Sequence, residues 1–459
     1  MTGPSSDAAV LLRAMRSALG ENDMMAYLAM MAVRLIHLHR VLKPTGSLYL
    51  HCDPTASHYL KLLLDGIFGA TNFQNEIVWK RAHTVKGNVG QGSRFFGVNT
   101  DSIFFYSKTG KHVFQQPFTG YTKDYIDSFY RYTEKDGRRY RLISMIGPGG
   151  AAKGNPEYEV MGVTRYWRYS RKKMQELIDD DLVVQTNPGT VPQRKQYLDK
   201  GQGVAVQSLW DDIPALSASS AERLGYPTQK PVALLERIVG ASSKPGDVVL
   251  DPFCGCGTTV HAAQKMDRQW VGIDITHLAI SLIERRLKDA FPAIKYEIHG
   301  VPLDLDGARD LANRDKHEFQ KWIVAKVGGQ PYKGGKKGMD RGVDGYLHFR
   351  DAAKKPQFAI ISVKGGGIKS GDIRDLKGTI DREKAAMGIF LSLNEPTREM
   401  LKEAAAAGLY DSGGHKVPRI QILTAKEVLD NRRPQIPFGH TEGFKKAGRE
   451  EDEVQGSLL

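Results

Sequence analysis

The sequence predicts an α/β protein whose main sheet is parallel and Rossmann-like, followed by a second, smaller α/β unit. Three observations predict it. Val248-Val249-Leu250 runs into Asp251-Pro252-Phe253-Cys254-Gly255-Cys256-Gly257, a short helical segment follows from Thr258, and Trp270-Val271-Gly272-Ile273 ends in Asp274. That is strand, turn, helix, strand and a terminal acid. Residues from Met24 to Phe68 read as helix, turn, buried strand and helix, which makes a half-sheet. Beyond Glu318 a helix, a hairpin-like stretch and the apolar run Phe358 to Val363 repeat the α/β alternation.

The elements follow in order. Ala8 to Leu19 is an amphipathic helix, and Asn22-Asp23 caps a longer one through Met24, Tyr27, Leu28, Met31, Leu35 and Leu38. Lys43-Pro44-Thr45-Gly46 breaks it before the strand Ser47 to His51. A helix from Thr55 to Phe68 and the segment Asn75 to Lys80 complete a first domain, 1–80. From 81 to 224 the pattern is irregular, with Gly87, Gly90, Gly92, a Gly147-Pro148-Gly149 turn and aromatics interleaved with basic residues. A third domain, 225–310, carries the glycine turn, a helix through Leu278, Leu282 and Leu287, and a strand Lys295 to His299 expected to close that side of the sheet. A fourth, 311–435, begins near Asp315 and contains the basic loop Lys333 to Gly338. Residues 436–459 form a polar tail expected to lack structure.

Composition sets bounds on function. The 459 residues suffice for about three domains, and 41% hydrophobic content can build real cores. Lys plus Arg number 65 against 52 Asp plus Glu, a surplus of 13 that favours a polyanionic partner, nucleic acid above all. Cys52, Cys254 and Cys256 are too few for a disulfide framework or a zinc knuckle, which fits a reducing compartment. No apolar run reaches the roughly 18 residues that span a bilayer and the N-terminus does not read as a signal peptide, so no membrane association and a cytoplasmic location are expected.

The glycine turn carries a mechanism. Glycines between strand and helix let backbone approach a ligand closely, and an acid at the tip of the next strand can accept from a ribose diol. Thr258 and Thr259 follow Gly257 directly and no third glycine comes where the dinucleotide fingerprint G-x-G-x-x-G needs it, so a nicotinamide cofactor is disfavoured. DPFCGCGTT resembles the S-adenosylmethionine loop of DNA amino-methyltransferases, and Gly225-Tyr226-Pro227-Thr228-Gln229-Lys230-Pro231 resembles the TQKP segment that precedes it in their permuted classes. The resemblance implies S-adenosylmethionine held by Lys230, Pro231, Asp251, Phe253, Gly255, Gly257, Thr258 and Asp274. GSLYLHCDPTASHYLKLLLDGIFG and NFQNEIVWKR resemble the part of those enzymes just after their catalytic motif, Asp-Pro-Pro-Tyr or Asp-Pro-Pro-Phe.

That motif does not occur in the sequence. Asp53-Pro54-Thr55 is the nearest look-alike, without a second proline or an aromatic, and Asp53 reads as a strand-end residue that caps the next helix. In the family the motif gives an acceptor for the amine proton and an aromatic wall for a flipped base. Its strand also lies between the glycine-loop strand and the Ser47 to His51 strand, so without it two inner sheet edges are expected to stay unpaired. A start codon placed too late, or a natural fragment, is the expectation ahead of a complete enzyme. A homodimer or a partner chain supplying the missing strand is the further expectation.

Within 81–224, Arg165, Arg168, Arg171 and Lys172 lie among Tyr166, Trp167 and Tyr169. Arginine with aromatics suits phosphate contact, base-edge reading and stacking, whereas the plain alternative is a solvated basic face. Its position between the two halves resembles the target-recognition insert of the methyltransferases, which implies double-stranded DNA.

The fourth domain, with Asp344 after the hairpin start Met339-Asp340-Arg341 and Phe358 to Lys364 next, resembles the Mrr-like branch of PD-(D/E)xK restriction endonucleases. The resemblance implies a catalytic Asp344 and Lys364, Glu318 contributing from the first helix, and Mg²⁺ held by Asp344 and Glu318. Ser362 departs from the pattern, because a neutral hydroxyl stands where the family has an acid or Gln; Glu383 is another acid within sequence reach. Together the resemblances imply a site-specific DNA methyltransferase of a restriction-modification system, adenine preferred over cytosine, fused to a nuclease-like domain. The alternative is a non-catalytic DNA-binding or specificity subunit that retains cofactor and target recognition.

Overall fold

The computed structural model describes residues 4–82, 94, 96–217, 219–226, 228–332, 342–437, 448 and 450. Gly87, Gly90, Gly92, Pro227, the Lys333 to Gly338 loop and Met339-Asp340-Arg341 lie outside the described residues. The chain forms two compact units, one of residues 1–113 with 211–459 and one of residues 114–210.

The first unit opens with α1 (Pro4–Leu19) and α2 (Asp23–Val41), the latter capped where Asn22 Oδ1 accepts from Met25 N at 3.0 Å. After β1 (Ser47–Cys52) come α3 (Ser57–Phe68), β2 (Phe73–Lys80) and β3 (Thr100–Ser107). Leu28 and Leu35 of α2 pack with Leu60, Leu63 and Leu64 of α3, all fully buried. Burying one such side chain contributes about 1.5–3 kcal/mol before entropy is counted, so this core fixes the helices over the strands. β3 lies between β1 and β2 and runs antiparallel to both. This departs from the sequence reading, which left Thr100 to Ser107 in the irregular stretch. Ile103, Phe104, Phe105 and Tyr106 are buried, so the strand belongs to the sheet because its apolar side chains do.

The second unit has β4 (Phe118–Thr119), α4 (Lys123–Phe129), β5 (Tyr132–Thr133), β6 (Arg139–Ser144), β7 (Glu157–Val160) and β8 (Val163–Tyr166). Then follow α5 (Arg171–Asp179), β9 (Val183–Val184), β10 (Gln193–Tyr197), β11 (Val204–Ala205) and β12 (Leu209–Trp210). Its sheet is antiparallel in the order β5-β6-β10-β9, beside a β7–β8 hairpin. Trp167 is fully buried in a core with Met145, Met174 and Leu177, and its Nε1 donates to the Tyr158 carbonyl at 2.7 Å. Strands of two to six residues, rich in Arg and Tyr, give too short a period to read from sequence.

The first unit resumes with α6 (Val232–Ser242), β13 (Val248–Asp251), α7 (Thr258–Lys265), β14 (Gln269–Gly272) and α8 (His277–Ala290). β13 and β14 are parallel. The strand expected over Lys295 to His299 does not form. A turn in which Ile294 N donates to the Phe291 carbonyl (3.0 Å) redirects the chain, and Tyr296 reaches Trp270 through its ring alone. Among the described residues, therefore, β13 pairs only with β14, and β1 keeps no strand on the side away from β3. Trp270 faces α7, donating Nε1 to Gln264 Oε1 at 3.0 Å. By alternation Val271 and Ile273 point to the opposite face, where they are 48% and 50% exposed.

The rest comprises α9 (Leu305–Arg314), α10 (Lys316–Lys326), β15 (Gln330–Pro331), β16 (Gly345–Arg350), β17 (Pro356–Lys364) and α11 (Ser370–Glu383). β18 (Met387–Ser392), α12 (Arg398–Ala406), β19 (Leu409–Ser412), β20 (His415–Pro418), β21 (Ile420–Thr424) and α13 (Ala425–Leu429) complete it. The mixed sheet has the order β15-β16-β17-β18-β21, with β17, β18 and β21 parallel. Ala308, Leu311 and Ala312 place one face of α9 in the same core as Phe319, Trp322, Ile361 and Val363. Within the polar tail, the Glu450 carboxylate accepts from His261 Nε2 (2.7 Å) and pairs with Lys265 (3.2 Å) of α7. Burial, then the Arg286 charge, push His261 down to about 4, so it is neutral near pH 7.

Candidate functional site

The turn from β13 into α7 is held by main-chain and carboxylate contacts. Phe253 N donates to Asp251 Oδ1 (3.1 Å) and Cys254 N to the Ile273 carbonyl (3.0 Å). Gly255 and Gly257 have φ of +49° and +73°. At Gly257 a Cβ would also lie 2.8 Å from Ile283 Cγ1, so conformation and space both demand glycine there. Asp274 braces the loop: Oδ2 accepts from Gly255 N at 3.0 Å, and Oδ1 accepts from Thr276 N and Oγ1 at 2.9 and 2.8 Å. A carboxylate offers about four acceptor positions, so capacity for a hydroxyl remains although most of it serves the protein. The Phe253 ring is half exposed and can lie against a flat heterocycle.

Arg286, 2% exposed, was not found from sequence. Its guanidinium donates to the Cys256 carbonyl and to Thr258 Oγ1, both at 3.2 Å, and Thr258 Oγ1 reaches the Lys230 carbonyl at 3.4 Å. The glycine loop is thereby tied to the Lys230-Pro231 segment, where Pro231 starts α6. A helical arginine on the buried side of α8 gives no sequence signal of its own. Cys254 is pushed up to about 12 by burial, then by Asp251 and Asp274, so it stays a thiol and packs.

A second feature lies at the end of β1. A cavity of about 620 Å³ is lined by Met24, Tyr27, His51, Asp53, Arg81, Asp101 and Lys230, among others. Asp101 is 4% exposed. His51 Nε2 donates to its Oδ2 at 3.0 Å, Arg81 Nε lies 3.5 Å from Oδ1, and Lys230 Nζ lies 3.9 Å from Oδ2. Burial opposes the Asp101 charge, but the His51 hydrogen bond and the charges of His51, Arg81 and Lys230 outweigh it and hold the carboxyl below its usual range. Burial pulls Lys230 down, with Asp101 working the other way. Asp53 accepts from Thr55 N at 3.0 Å, the local turn its position suggested. Of the expected cofactor residues, Lys230 lines this cavity whereas Phe253, Gly255 and Asp274 do not. His51 lies near the end of a strand that was legible, whereas Asp101 lies on β3, whose apolar run Ile103 to Tyr106 was the available and unused signal.

In the second unit Arg165, Arg168, Arg171 and Lys172 are all exposed, on β8, the following turn and the first turn of α5. Among the described residues none of the four is in a salt bridge, and Arg171 lies 5.4 Å over the Tyr158 ring. Arg139 and Arg141 are instead held by Asp127 and by Gln196 and Tyr125.

In the fourth domain the residues expected at a metal site have protein partners. Glu318 pairs with Lys321 at 2.7 Å and with His277 of α8 at 3.9 Å. The Asp344 carboxylate accepts from Val363 N at 2.7 Å, bracing the start of β16 against β17. Lys364 faces Asp372 at 3.8 Å, an acid in the first turn of α11 that the sequence did not single out, and Glu383 contacts Arg382. No group of three or more His, Cys, Asp or Glu side chains able to hold a metal occurs among the described residues.

Comparison with known proteins follows this division. Residues 316–430 match the model of the NACHT-associated inactive Restriction Endonuclease 1 family. The type II methyltransferase M.EcaI of Enterobacter cloacae is 32% identical over 264 residues, 57% of each chain. The Mod subunit of the StyLTI type III restriction-modification enzyme of Salmonella typhimurium is 29% identical over 274 residues, 56% of this chain and 41% of that one. The chain thus spans about half the length of these relatives. A solved M1.HpyAVI–SAM complex aligns with 61% of this chain and 96% of its own at 17% identity and a TM-score of 0.32, too loose to carry a geometric comparison. The model of the DNA methylase family matches residues 12–285, more than half of the chain and both the glycine loop and the β1 cavity, so the protein belongs to that family.

Proposed function

We propose that this chain is the cofactor- and DNA-binding body of an S-adenosylmethionine-dependent DNA amino-methyltransferase of a restriction-modification system, with the adenine amine as target. The observation that carries the proposal is the Phe253 to Gly257 loop, held open at the start of α7 by Asp274. The residues present fit the cofactor. Phe253 offers a ring face, Gly255 and Gly257 admit close approach, and Asp274 retains acceptor capacity. When bound, the cofactor supplies an activated methyl group. The chain's own residues bind and orient it, while Arg165, Arg168, Arg171 and Lys172 attract the DNA backbone.

Methyl transfer to an exocyclic amine also needs a group that takes up the amine proton and a wall for the flipped base. The Asp-Pro-Pro-aromatic motif that supplies both in the family is not in the sequence, and Asp53 is already engaged by Thr55 N. The edges of β1 and β13 that no described strand pairs are where a further strand can add. We infer that turnover depends on a further strand that brings both groups to these edges. Ser362, the pairing of Glu318 with Lys321 and His277, and the bracing role of Asp344 favour a fourth domain that docks and does not cut.

These readings have separate tests. Tritiated-methyl incorporation into DNA by the 459-residue chain is expected to stay at background; turnover abolished by Asp53→Ala would make the Asp53-Pro54 segment catalytic and refute the dependence on a further strand. Replacing Arg165, Arg168, Arg171 and Lys172 together by Ala is expected to weaken DNA binding and to flatten the slope of log K against log salt by about 3 to 4 units, roughly 0.9 per phosphate contact. An unchanged slope moves recognition elsewhere. With Mg²⁺ a plasmid-nicking assay is expected to show no cleavage; nicking that disappears in both Asp344→Ala and Lys364→Ala would restore the nuclease reading.

A further inference from the structure

The cavity at the end of β1 has a chemistry that sets its occupant. It brings two carboxylates, Asp53 and Asp101, together with the basic groups of Arg81 and Lys230 and the imidazole of His51. A flipped base is neutral and flat and wants stacking faces; Tyr27 offers one, but Trp79, 5.6 Å from Lys230, is 1% exposed and does not line the space, and Asp53, Asp101, Arg81 and Lys230 set four ionisable groups around it. Paired opposite charges suit a zwitterion instead. Among the described residues, the buried Asp101 Oδ1 accepts no hydrogen bond and has the Arg81 charge 3.5 Å away, which leaves an acceptor open to a ligand ammonium.

We propose that Asp101 is a positioning residue of the cofactor site: its buried carboxylate gathers His51, Arg81 and Lys230 so that the two cations take the carboxylate of the cofactor's amino-acid end. This rests on the reading that the Phe253 to Gly257 loop holds the adenosine end. The assignment takes Asp101 and Arg81 out of the stretch read from sequence as the DNA-recognition insert and gives them to the small-molecule site. It also separates the roles of neighbouring acids, since Asp53 shapes the local turn at Thr55 while Asp101 orders the cations. Without the Asp101 charge, Arg81 and Lys230 would repel each other and turn outward to solvent, which their partial exposure permits.

The test compares S-adenosylhomocysteine with 5′-methylthioadenosine by calorimetry. The two share the adenosine and the thioether, and only the first has the amino-acid end. The wild-type chain is expected to prefer S-adenosylhomocysteine by about tenfold or more, as a charge-assisted contact warrants. Asp101→Asn is expected to erase most of that preference while leaving 5′-methylthioadenosine binding unchanged, a split that a general loss of structure would not give. Arg81→Gln, at the more exposed rim, should show the same split and covers the case in which Asp101→Asn does not fold. Equal losses for both ligands in either folded variant, or a wild-type chain without preference, would overturn the proposal. Binding of neither ligand by the wild type would overturn the cofactor reading together with it.

Discussion

The Asp274 carboxylate is the constraint on which the methyltransferase-like half depends. One oxygen fixes Gly255 N and the other fixes the start of the chain into α8 through Thr276. A loop with two glycines at positive φ has many alternative conformations and loses more entropy on ordering than any other kind of segment. Charge-assisted hydrogen bonds to backbone N–H, roughly twice as strong as neutral ones, offset that cost. The same acid thereby shapes the loop and keeps part of its acceptor capacity for a ligand. Arg286 completes the frame from below by holding the Cys256 carbonyl and Thr258.

The cavity at β1 works by a different balance. Exposed ion pairs contribute little, because water screens them and long side chains resist being fixed. Asp101 is not such a case. It is nearly buried, and a lone charge there would be costly, so three cationic or donor groups converge on it. Arg81 and Lys230 remain partly exposed, which keeps them available to a ligand.

The long elements were legible in the sequence because their periods are long. The α2 stripe, the β1 strand, the β13–α7–β14 unit and the β17 run each show several consecutive matches to one period. Thr100 to Ser107 was missed although its apolar run is strong, because its neighbours are polar and glycine-rich. Lys295 to His299 alternates like a strand, yet side-chain packing of Tyr296 on Trp270 took precedence over ladder hydrogen bonds. At the sites, the glycine turn announced itself through spacing, whereas Asp101 and Arg286 act through contacts dozens of residues away and leave no local mark. The nuclease resemblance expects Asp344 at a strand start and Lys364 on the next strand; Asp344 lies just before β16 and Lys364 at the end of β17, while the partners of Glu318 and Asp344 are set by tertiary packing.

Among the described residues β1 and β13, in separate sheets, each keep one edge without a partner strand, and the glycine loop is already shaped by Asp274. The central claim is that this loop binds S-adenosylmethionine through the geometry Asp274 imposes. Isothermal calorimetry of S-adenosylmethionine against the wild type and Asp274→Ala tests it most directly. The account predicts binding by the wild type and a loss of about tenfold or more in the variant, near 1.4 kcal/mol or above. Equal binding by two folded samples would contradict it.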